Sequence, residues 1–76
     1  MKPNLQAMLA IARAVRDTKM SACKIDGLTQ DEFSIQARHL HDQGLVVAEF
    51  QARQGRAAVA VVRRLTPLGE AFVSQG

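Results

Sequence analysis

Four arginines stand between Glu49 and Glu70 with no acid among them: Arg53, Arg56, Arg63 and Arg64. A guanidinium is a planar fork that binds a phosphate through two parallel hydrogen bonds, so such a run suits a nucleic-acid backbone. Arg53 and Arg56 flank a polar Gln-Gly pair that reads as a turn, where a protruding loop would meet a phosphate or a minor groove. A second set lies upstream. Gln30, Ser34, Arg38 and His41 fall at i, i+4, i+8 and i+11, which on a helix makes one strip of side chains able to read base edges. Asp31, Glu32 and Asp42 put negative charge on the same segment, and a phosphate surface repels it.

Other chemistry is excluded on spacing. His39 and His41 form an H-x-H, but residues two apart on a helix point about 200° from each other and cannot share one ion. Cys23, the single cysteine, has no neighbouring base to activate it and no partner for a disulfide, and reads as a half-buried small hydrophobe. No glycine-rich phosphate loop and no Ser-His-Asp set is present. We expect no catalytic residue, no metal and no cofactor.

The elements that must carry the cations follow from the hydrophobic rhythm. Leu5, Met8, Leu9, Ala12 and Val15 set a helical stripe over residues 4–19, with Asn4 as N-cap. Residues 20–28 connect, with Lys24-Ile25 as a very short strand before the Asp26-Gly27 turn. Thr29 followed by Glu32 is a capping-box signature, and Phe33, Ala37 and Leu40 then face inward until Gly44 closes the helix. Ile35 falls outside that stripe as an exposed hydrophobe. From Val46 the period drops to two. A strand, the turn at 53–56 and a return strand over 58–65 make a hairpin. Thr66-Pro67 opens a last helix, pinned to the core by Leu68 and Phe72.

This order predicts an α+β fold. It is a winged helix-turn-helix with three helices and a two-stranded antiparallel β-hairpin wing, one domain over residues 1–76. The stretches LTQDEFSIQARHLHDQGLV (28–46) and RLTPLGEAF (64–72) resemble the small YjcQ-like winged-helix proteins, many of which are encoded by phages and prophages. The resemblance spans nearly the whole chain and implies a DNA-binding regulator of phage or prophage type. It departs from the family in lacking a separate helix before the second long one.

Composition is compatible with that reading. The 76 residues are 47% hydrophobic and 22% charged with a net charge of +3, a mildly basic globular mix. No apolar run exceeds six residues, too short for a membrane span, and a cytoplasmic location is expected. The chain is too short to wall a substrate pocket, so no enzyme and no small-molecule substrate are expected. Double-stranded DNA is the expected partner. A stripe of Leu5, Met8, Leu9 and Ala12 wider than a small core needs points to a homodimer. The rival reading is a protein-binding winged helix, such as a phage-encoded inhibitor (an anti-CRISPR, for example) or an adaptor acting on a host complex.

Overall fold

Asn4 ends its extended backbone by accepting the Ala7 amide on its side chain at 3.2 Å, and this starts helix α1, Leu5–Thr18. The computed structural model describes the backbone of residues 2–53 and 56–75, and their side chains apart from 52, 53 and 56–58. Met8, Ile11, Ala12 and Val15 lie on the buried side of α1. The helix ends at Lys19, which holds a left-handed φ of 55° and donates its amide to the Val15 carbonyl at 3.0 Å.

Helix α2, Gln30–Asp42, is closed at both ends by the signals its sequence carries. Thr29 and Glu32 exchange two 3.0 Å hydrogen bonds in a full capping box. At the other end Leu45 donates to Leu40 and Gly44 to His41, both at 3.0 Å, with Gly44 at φ 73°. This is a Schellman ending, and it turns the chain straight into strand β1, Val46–Arg53. Strand β2, Arg56–Leu65, returns antiparallel to it. Helix α3, Pro67–Gln75, follows, with Thr66 Oγ1 accepting the Gly69 amide at 3.1 Å. The three helices and the hairpin give the order α-α-β-β-α, a winged-helix-like topology.

The two-stranded sheet has one further neighbour. Ala22 exchanges both backbone bonds with Val62, at 2.9 and 2.8 Å, on the side of β2 away from β1. The short strand expected at 24–25 is therefore a single bridge at Ala22. Ile25 is committed instead to a turn, its carbonyl accepting the Leu28 amide at 3.2 Å around Gly27, whose φ is 91°. No helix lies between α1 and α2.

Pairing changes phase once at the hairpin base. Val47 opposes Arg64 while Ala48 opposes Val62, so Arg63 is an extra residue in a β-bulge. Ala60 and Val62 face inward; simple alternation would send Arg64 inward as well, and the bulge instead leaves both Arg63 and Arg64 exposed.

Ile11, Phe33, Ala37, Leu40, Ala60 and Val62 are completely buried and join α1, α2 and β2 in one core. Burying Phe33 alone stabilises the fold by about 1.5–3 kcal/mol. Gln36, only 2% exposed, is satisfied within it: its Oε1 accepts the Asn4 amide at 2.8 Å and its Nε2 donates to the Lys2 carbonyl at 3.2 Å. Two expectations fail at the rim. Leu68 is 64% exposed, and α3 instead buries Gly69 and Val73, with Phe72 partly covered. Leu5, at 60% exposure, sits before α1 reaches the core. None of the described helices is long and apolar enough to cross a membrane.

Candidate nucleic-acid interface

Phe50 points from β1 toward α2, and two of the expected reading residues converge on it. The Arg38 guanidinium lies over the ring, its carbon 4.3 Å from the centroid. His41 meets the same ring edge-on, with centroids 5.4 Å apart and planes at 79°. A cation over an exposed aromatic face contributes about 0.5–1 kcal/mol. The contact therefore holds α2 and the first hairpin strand as one surface while Arg38 stays open to solvent. His41 Nδ1 is 3.6 Å from the Asp42 carboxylate, a pair that gains strength when the imidazole is protonated.

Gln30 is exposed on the first turn of α2, as a reading residue requires. Ser34 is not. It is 8% exposed, and its Oγ has no hydrogen-bond partner. The buried side of α2 runs through Phe33, Ser34, Gln36, Ala37 and Leu40, broader than an i, i+4, i+7 stripe, because α1 and the hairpin both pack against it. Ser34 is thus withdrawn from the expected strip. Ile35 is half-buried, not exposed. The outward side of α2 instead carries Asp31, Arg38 and Asp42, which fall at i, i+7 and i+11.

Arg63 and Arg64 do not continue this surface. Arg63 donates to Glu49 at 2.8 Å, and Glu49 alternates with Phe50 along β1. Arg38 and the Arg63–Glu49 pair therefore lie on opposite faces of the ribbon. The cations of α2 and of the hairpin base are thereby divided between two faces, and Arg63 is paired with Glu49. Arg64 stands at the base of the hairpin beside the end of α1. Arg53 and Arg56 oppose each other in the backbone register; their side chains, and the expectation that they contact phosphate, lie outside the described residues.

No family model, curated protein or solved structure matches this chain.

The expected dimer stripe is mostly used internally. Met8 is 3% exposed and Ala12 fully buried, both inside the chain's own core, while Leu9 is half-buried and only Leu5 stands clear. Cys23 is an exposed free thiol, correcting its expected partial burial, and His39 is half-buried. Among the described residues no three His, Cys, Asp or Glu side chains are grouped to hold a metal ion.

Three participants escaped the sequence reading. Phe50 takes part only in the two-residue rhythm of β1, and no spacing rule links it to Arg38 twelve residues earlier. Lys19 and Arg16 end α1 and read as dipole complements. Only the tertiary fold brings them beside Arg64.

Proposed function

We propose that the chain is a small winged-helix DNA-binding regulator acting in the cytoplasm, with double-stranded DNA as partner. The observation that carries this reading is the Arg38–Phe50–His41 contact, which presents the outward side of α2 and the hairpin together. In this reading α2 enters a major groove with Gln30, Arg38 and His41 toward base edges, and Arg53 and Arg56 bind phosphates at the hairpin end. The net charge of +3 and the resemblance to the YjcQ-like proteins of phages and prophages support the same assignment.

An electrophoretic shift with random duplex at low and moderate salt tests it. Affinity falls steeply with salt, Arg53→Ala and Arg56→Ala each reduce the salt slope by about 1, and Arg38→Ala weakens binding. Absence of a shift even at low salt overturns the reading.

One arrangement favours a second reading, a protein-binding inhibitor or adaptor. Asp31 and Asp42 flank Arg38 on the outward side of α2, and Arg63 is already paired with Glu49. A mixed-charge surface of this kind suits a protein partner better than a polyanion.

A further inference from the structure

Beyond α2, the described residues form an open cleft of about 350 Å³ between the last turn of α1 and the base of β2. Arg16 and Lys19 line it from α1, and Arg63 and Arg64 from β2. Glu70 of α3 supplies the one carboxylate of the lining, and Asp17 and Glu49 pair with Arg16 and Arg63 from outside it. None of the four is ion-paired with Glu70: Arg16 is held by Asp17 at 2.9 Å and Arg63 by Glu49, while Lys19 and Arg64 have no ion-pair partner among the described residues. Val15 and Leu65 complete the walls with apolar surface.

Two backbone features concentrate the charge. The bulge at Arg63 leaves consecutive arginines exposed on one strand, where regular pairing turns one of them inward. Lys19 occupies a left-handed cap with φ 55°, a conformation that glycine adopts without steric cost and lysine does not. The helix dipole accounts for Arg16 and Lys19 at the end of α1. It does not account for Arg64, which is brought against them from another strand with no ion-pair partner among the described residues, although like charges repel. Guanidinium and ammonium groups around a small, partly apolar cleft match a phosphate group on a compact organic body.

The geometry points to a phosphate-binding site in this cleft, with Lys19 and Arg64 as its principal cations. It is separate from the surface of α2, so its test is independent of the duplex reading. The full chain is titrated with inorganic phosphate and with adenosine monophosphate, at ionic strength held constant with chloride, while amide resonances are followed. Shifts are expected at residues 15–19, 63–65 and 70. Arg64→Gln lowers affinity about tenfold, and Glu70→Gln raises it severalfold by removing the opposing charge. Lys19→Gly separates binding from folding: the thermal midpoint holds or rises, because glycine suits the cap, while affinity drops about fivefold or more. Shifts reproduced by chloride alone, located elsewhere, or unchanged in Arg64→Gln and Lys19→Gly overturn the site. A short duplex that displaces adenosine monophosphate assigns the phosphate to a nucleic-acid backbone; a duplex that does not assigns it to a free phosphate ester.

Discussion

A β-carbon placed on Gly69 falls on the carbonyl of Leu45, 2.9 Å from its carbon and nearer still to its oxygen. That oxygen also accepts the Thr66 amide at 3.0 Å, and Thr66 Oγ1 donates to the Gly44 carbonyl at 2.6 Å. The start of α3 is thereby fastened to the turn that leaves α2. Gly69→Ala must displace backbone, not a yielding side chain, and is expected to cost roughly 3 kcal/mol. Gly44→Ala meets open space and loses only about 1 kcal/mol, through its φ of 73°. Urea denaturation of the two variants checks the order, with the m-value unchanged if the folded state is otherwise preserved.

Ser34 carries a buried hydroxyl without a partner. Removing it eliminates a desolvated polar group at the loss of little volume, so Ser34→Ala is expected to be neutral or to stabilise by up to about 1 kcal/mol. Duplex affinity stays unchanged, since the side chain is not on the surface of α2. A loss of binding in a variant of unchanged stability contradicts this placement.

Arg38 and Phe50 should be energetically coupled. A double-mutant cycle with Arg38→Ala and Phe50→Leu is expected to return about 0.5–1 kcal/mol, because leucine keeps apolar contact but has no ring face. Thermal denaturation of the four proteins measures it. A coupling indistinguishable from zero removes the link that holds α2 to the hairpin.

Acid stability should depend on Glu32. Its pKa lies below the ordinary 4.5, first because the Thr29 backbone amide donates to the carboxylate and second through the Thr29 side chain. A depressed folded pKa means the contribution is complete above the unfolded value, near 4.5, and is lost as pH falls through the folded one. Glu32→Gln keeps an acceptor for the amide without titrating. Its thermal midpoint should therefore fall less than that of the unaltered chain between about pH 6 and about pH 3. Parallel curves for the two proteins contradict the assignment.

What the sequence made legible was local. Asn4, the Thr29–Glu32 pair, Gly44 and Thr66-Pro67 each mark a helix end through hydrogen bonds within a few residues, and all four ends fall where they were expected. The change of period after Gly44 likewise identified the hairpin. Facing was harder to read. Leu68 looked like an anchor because it is apolar, yet the approach of α3 to Leu45 demands a glycine, which turns Gly69 and Val73 inward. A stripe of three residues leaves Ser34 outward, whereas two neighbouring elements widen the buried arc of α2. The cationic cleft had no linear signature. It needs an unpaired residue in a strand and a helix end some forty-five residues away, and neither follows from periodicity.

The unopposed position at Arg63 also says something about length. At its base the hairpin holds one residue more than the ladder there uses, and that surplus lies between Val62 and Arg64. Excising Arg63 would join Val62 directly to Arg64 with Ala48 and Val47 still opposite them, and Leu65 would keep its place across from Val46. A one-residue deletion, which elsewhere in a ribbon inverts every later side chain, is here a change the scaffold can absorb.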